Sequence, residues 1–111
     1  MPLPSLQQRF AALLSAPSVS CTQPALDQSN RQVVDLLANW LGELGFACEL
    51  QEVQPGKFNL LATRGHGPGG LVLAGHSDTV PFDEALWRSD PATIDQGVNP
   101  QQGRVLQQMQ R

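Results

Sequence analysis

Charge is scarce in this sequence and is nowhere clustered. Of 111 residues, 15% are charged, with 7 Lys and Arg against 10 Asp and Glu, giving a formal net charge of −3. Without a basic patch, nucleic acid and anionic membrane surfaces are disfavoured as partners. Long apolar runs are also missing. The longest, Phe10–Leu14 and Leu71–Ala74, fall far short of the ~20 residues that a membrane span requires. Met1-Pro-Leu-Pro-Ser5 lacks the basic start and apolar stretch of a secretory signal. Cysteine is sparse too: Cys21 and Cys48 form no CxxC and no metal-type spacing. A soluble, cytoplasmic protein with free thiols is therefore expected. The length leaves room for one small domain or part of a larger one.

What is present reads as alternating helix and strand. Leu6, Phe10, Leu13 and Leu14 recur with helical spacing and predict a helix over 5–15, broken by Pro17. Ser29 or Asn30 can cap a second helix. It runs to about Leu44 on the stripe Val33, Leu37, Trp40, Leu41 and Leu44, and Gly45 stands where a left-handed C-terminal cap belongs. Phe46, Cys48 and Leu50 then alternate with polar neighbours, which predicts a half-buried strand over 46–53. Gln54-Pro-Gly-Lys57 is a turn, and Phe58–Thr63 a second strand, so the two can form a hairpin. After the glycine-rich Arg64–Gly70, the run Leu71-Val-Leu-Ala74 suggests a strand covered on both faces, as in the middle of an α/β sheet. A short buried helix is the other reading of that run. From Ala92 to Arg111 there are six glutamines and few apolar residues. Val105, Leu106 and Met109 make at most a turn and a half of helix.

Gly75-His76-Ser77-Asp78-Thr79-Val80-Pro81 carries the most chemistry. It follows the end of the expected inner strand, where ligand sites of open α/β sheets lie. Imidazole is a borderline-soft nitrogen donor suited to zinc or cobalt. A carboxylate two positions away can hold the ring by its other nitrogen and fix its tautomer. His76 then binds metal and Asp78 orients it. By pattern alone, the same HxD also describes a capped turn or a surface loop. His66 reads as a solvated loop residue, and Asp83, Glu84 and Asp90 as solvated acids. Gly65–Gly70 lacks a Walker lysine and a following helix, so it is no phosphate cradle. Trp40 and Cys48 fit core positions. Trp87 packs a loop or lines a pocket. Cys21 has no adjacent base in sequence, which leaves a nucleophilic role without support.

With those residues in view, the sequence resembles the acetylornithine deacetylases of the M20 metallopeptidase family. The likeness lies in Ala25-Leu-Asp-Gln-Ser-Asn30, Lys57-Phe-Asn-Leu-Leu-Ala62 and Gly69-Gly-Leu-Val-Leu-Ala-Gly-His76. Ser77-Asp-Thr-Val-Pro-Phe-Asp83, continued by Trp87 and Ser89-Asp-Pro91, is its strongest part. The resemblance implies an α/β fold: the N-terminal part, over 1–91, of a zinc-peptidase-like catalytic domain, with two helices, a hairpin and an inner strand of a mixed sheet. It implies hydrolysis of the N-acetyl amide of N2-acetyl-L-ornithine to ornithine and acetate in arginine biosynthesis. The cofactors it implies are two zinc or cobalt ions, which polarise the amide and acidify a water. The expected partner is a small-molecule substrate, an N-acetylated amino acid. Family members dimerise through a second domain that has no counterpart in this sequence. His76 matches a metal ligand of the family. Asp78 matches the catalytic aspartate that braces that histidine. Ser77 stands where the family more often has Thr.

The sequence also departs from the family. Ala92 follows Pro91 where Phe is expected, and nothing over 92–111 resembles the GxxDMKG-like stretch whose aspartate bridges the metals. The glutamate pair, the later carboxylate ligand and the distal histidine have no counterparts. Residues 92–111 are therefore expected to be a divergent tail, disordered or produced by a frameshift or premature stop. One imidazole cannot complete a zinc site, which takes three or four protein ligands, so the chain alone is expected to be inactive. The alternatives are a small non-enzymatic binding or regulatory module and an M20 amidohydrolase of other specificity.

Overall fold

The computed structural model describes residues 3–88 and 90–93. The described residues divide into two units, one holding residues 3 and 17–80 and the other residues 4–16, 81–88 and 90–93.

In the unit of residues 17–80, helix α2 spans Arg31–Glu43. Strands β1, Ala47–Gln54, and β2, Lys57–Thr63, form an antiparallel hairpin. Most of the expected stripe on α2 faces inward: Val33 and Val34 are only 2% exposed, Leu37, Trp40 and Leu41 are half-buried, and the helix packs on both strands, whereas Leu44, just past the helix end, is exposed. α2 ends as Gly45 predicts. Gly45 adopts φ 89°, its N–H donates to the Gly42 carbonyl at 3.0 Å, and the Phe46 N–H donates to the Leu41 carbonyl at 3.0 Å. These two bonds are the Schellman pair, and they satisfy carbonyls that the last helical turn leaves open.

The hairpin follows its period-two pattern. Cys48, Leu50, Phe58, Leu60 and Ala62 are half-buried, and the polar residues between them are exposed. Pro55 and Gly56, the latter at φ 77°, make the two-residue turn. The register slips between Glu52 and Gln54, so Val53 is a bulge residue.

Three further connections complete this unit. The Ser18–Ser20 segment makes a parallel bridge to Thr79. Asn30 occupies the N-cap position of α2 but makes no capping bond. Its side chain instead donates through Nδ2 to the Phe58 carbonyl, and its Oδ1 accepts from the Phe58 N–H, both at 2.9 Å. Ser29 Oγ takes over at the helix start, accepting from the Arg31 N–H at 3.1 Å.

The expected inner strand over Leu71–Ala74 is not formed. Leu71, Val72 and Leu73 are 85–87% exposed, and among the described residues β1 and β2 pair only with each other. An extended segment becomes a strand only by sharing its backbone hydrogen bonds with a neighbour. Among the described residues no strand stands beside 71–74. The alternative of a short buried helix is not formed either.

In the other unit, helix α1 spans Leu6–Ser15. It starts with a full capping box: Ser5 Oγ accepts from the Gln8 N–H at 3.2 Å, and Gln8 Oε1 accepts from the Ser5 N–H at 2.9 Å. Phe10, Leu13 and Leu14 are half-buried, while Leu6, in the first turn, is exposed. A short 3-10 turn follows at Glu84–Leu86, started by Asp83, whose carboxylate accepts from the Ala85 N–H at 3.0 Å. The expected helical turn over 105–109, and all of the tail beyond residue 93, lie outside the described residues.

Candidate active site

His76 and Asp78 lie on a segment with no regular structure, between the end of β2 at Thr63 and the bridge at Thr79. The imidazole Nδ1 is 2.7 Å from Asp78 Oδ1. The two side chains are 84% and 51% exposed, so neither is a core residue. In the tautomer whose Nδ1–H donates to that oxygen, the neutral ring keeps its Nε2 lone pair open. A histidine with one nitrogen held by a carboxylate and the other free has the arrangement of a metal-ligating imidazole. The donor set therefore fits one metal ligand and its brace. Among the described residues no group of three His, Cys, Asp or Glu side chains stands close enough to hold an ion.

The location of the pair differs from expectation in one respect. The end of a formed inner strand was to carry it, whereas the bridge just beyond it anchors it. The Thr79 N–H donates to the Ser18 carbonyl at 3.0 Å, and the Ser20 N–H donates to the Thr79 carbonyl at 2.9 Å. The hydroxyls of Ser18 and Thr79 meet at 3.4 Å.

The other sequence candidates have local duties. His66 is exposed on the glycine-rich connection. Asp83 and Asp90 accept from the backbone N–H two residues on, at 3.0 and 2.9 Å, the habit of turn-forming acids. Trp87 packs edge-on against Phe82, ring centroids 6.4 Å apart. Cys48 is half-buried with its thiol 3.6 Å from the Ala38 carbonyl, in keeping with a small core residue.

Asp27 and Lys57 received no role from sequence reasoning, yet the structure joins them. Lys57 Nζ lies 2.8 Å from Asp27 Oδ1, and the same oxygen accepts from the Cys21 N–H at 2.9 Å. The Lys57 bond first, then the Cys21 bond, hold the Asp27 carboxyl below its usual 3.8. A shallow cavity of about 380 Å³, lined in part by Cys21, Asp27 and Lys57, lies over this ion pair and contains neither His76 nor Asp78. The two residues stand 30 apart in sequence, and no local pattern reports that they meet.

No family model matches the chain. Curated proteins do. Over 99 aligned residues the chain is 52% identical to the acetylornithine deacetylase of Photorhabdus laumondii, covering 87% of this chain and 26% of that protein. It is 54% identical over 91 residues to the acetylornithine deacetylase of Pasteurella multocida, covering 80% and 24%. The Vibrio campbellii acetylornithine deacetylase is 50% identical over 99 residues, covering 89% and 26%. The chain is a relative of the acetylornithine deacetylases. It spans about a quarter of the length of those it matches. No helix among the described residues is long and apolar enough to cross a membrane.

Proposed function

We propose that this chain supplies part of the active site of a metal-dependent acetylornithine deacetylase, which hydrolyses the N-acetyl amide of N2-acetyl-L-ornithine to ornithine and acetate. The observation that carries the reading is the 2.7 Å contact between His76 Nδ1 and Asp78 Oδ1, in a chain about half identical to proteins of that name.

In this reading His76 Nε2 is one ligand to a zinc or cobalt ion. Asp78 fixes the ring orientation and keeps the proton on Nδ1. The bound ion supplies Lewis-acid polarisation of the amide carbonyl and acidification of the attacking water. The remaining ligands and the general base come from protein beyond these residues, because a catalytic site needs at least three protein ligands. Packing against further protein also accounts for the exposure of Leu71, Val72 and Leu73, since an uncovered apolar edge is an aggregation hazard. A reducing, cytoplasmic location agrees with the free thiols of Cys21 and Cys48.

A chimera tests this. Residues 3–91 replace the corresponding segment of the Photorhabdus laumondii protein, and N2-acetylornithine hydrolysis is measured with added Co²⁺. The chimera is expected to turn over, and its His76→Ala variant to lose the activity. The 111-residue chain alone is expected to do no better than the metal by itself. A folded but inactive chimera beside an active parent, or full activity in the His76→Ala chimera, would contradict the reading.

A further inference from the structure

We infer that Gln28 is a positioning residue for the His76–Asp78 pair, acting as a one-residue strand on the free side of Ser18–Ser20; the inference rests on the proposed metal-ligating role of that pair. The last regular element before the pair, β2, ends at Thr63, thirteen residues before His76, so its placement depends on the next anchor, Thr79. That anchor is the bridge to Ser18–Ser20, and it uses the Ser18 carbonyl and the Ser20 N–H. The backbone groups of Val19, between them, point the other way, as alternation along an extended segment requires. Gln28 takes both. Its Oε1 accepts from the Val19 N–H at 2.9 Å, and its own N–H donates to the Val19 carbonyl at 2.8 Å.

Gln28 thus fills the place of a strand neighbour with one side chain and one peptide unit. Two residues on, Asn30 fills such a place at the edge of β2 with its side chain alone, pairing with both backbone groups of Phe58. Together they tie Thr79 to the hairpin through Val19, Gln28, Asn30 and Phe58. Val19 is a buried residue, so its N–H has few substitutes for the Gln28 oxygen. When that oxygen is lost, the Ser18–Ser20 segment is released on one side. Thr79, one residue past Asp78, then loses the rigid edge that fixes the segment carrying the imidazole.

Nitrogen-15 NMR of the 111-residue chain, with no metal or substrate, tests this at a pH where the imidazole is neutral. The readouts are the His76 ring nitrogens and the exchange rate of the Thr79 amide. The wild-type chain is expected to show the proton on Nδ1. Gln28→Met, similar in length but lacking the acceptor, is expected to move both ring nitrogens toward tautomer-averaged values. It should also speed Thr79 exchange about fivefold, the loss of one net hydrogen bond. Gln28→Glu, which keeps an acceptor at that place, is expected to restore both. If the Met variant loses the dispersed amides of α2 and the hairpin, Gln28→Asn, whose shorter side chain withdraws the acceptor, takes its place with the same expected shifts. Ring signals that stay at wild-type positions in the variant lacking the acceptor overturn the proposal, even if Thr79 exchange rises, because Gln28 is then structural only. The same holds if Gln28→Glu fails to restore them. No turnover is involved, so this outcome is separate from that of the chimera.

Discussion

Asn30→Ser separates two roles that a single asparagine at a helix start could serve. Asn30 occupies the N-cap position of α2, and Ser caps helices about as well as Asn. If capping were its role, the change would cost no more than a few tenths of a kcal/mol. The structure shows the residue engaged elsewhere, in two 2.9 Å bonds to the backbone of Phe58, while Ser29 Oγ serves the Arg31 N–H. Serine has a single hydroxyl in place of the separate amide donor and acceptor, and lacks the reach to make both Phe58 bonds. Each net hydrogen bond is worth ~0.5–1.5 kcal/mol, so the loss should be about 1–3 kcal/mol, toward the lower end where water replaces the amide. Asn30→Asp sharpens the comparison, because Asp is an equally good cap and its charge suits a helix N-terminus. Facing the Phe58 carbonyl, however, it sets acceptor against acceptor. Urea unfolding followed by far-ultraviolet circular dichroism gives both values. Stability within about 0.3 kcal/mol of wild type for either variant would refute the strand-bridging role.

Other consequences can be measured on the same chain. Val34→Ala removes two buried methyl groups from a residue 2% exposed, and should cost about 2 kcal/mol in the same unfolding assay. Gly45→Ala forces a side chain into φ 89° and should cost about 1 kcal/mol through the strained Schellman turn. Asp27 has its carboxyl held low by Lys57 and Cys21. Its contribution is therefore complete above its ordinary value of 3.8 and is lost as pH falls through the lower folded value. Urea midpoints of wild type and Asp27→Asn should accordingly differ near neutral pH and converge in strong acid; a constant difference down to about pH 2 would exclude this linkage.

Elements set by local pattern were legible in the sequence. The α2 stripe, the period-two hairpin and the Gly45 cap each depend on neighbours within a few residues. The observed strand bounds, Ala47–Gln54 and Lys57–Thr63, differ from expectation by one residue. Leu71–Ala74 read as a strand because its apolar run is what a covered strand looks like. Pairing, however, is a property of the neighbour, and no pattern inside the run reports whether one is present. The spacing of His76 and Asp78 foretold a pair that can meet, because two residues of extended chain bring the groups within reach. The role of Asp27-Gln-Ser-Asn30 was hidden for the opposite reason. Its side chains look like helix-capping chemistry, and Ser29 does serve the helix start, but the partners of Asp27, Gln28 and Asn30, namely Cys21, Lys57, Val19 and Phe58, lie 6 to 30 residues away.

The most direct test of the metal role is a Zn²⁺ titration of the chimera with the Photorhabdus laumondii protein, which supplies the remaining ligands, observed at the two ring nitrogens of His76. Nε2 is expected to shift while the proton stays on Nδ1, and Asp78→Ala is expected to remove this preference. Zinc taken up at Nδ1, or a His76 ring indifferent to the ion, would contradict the role.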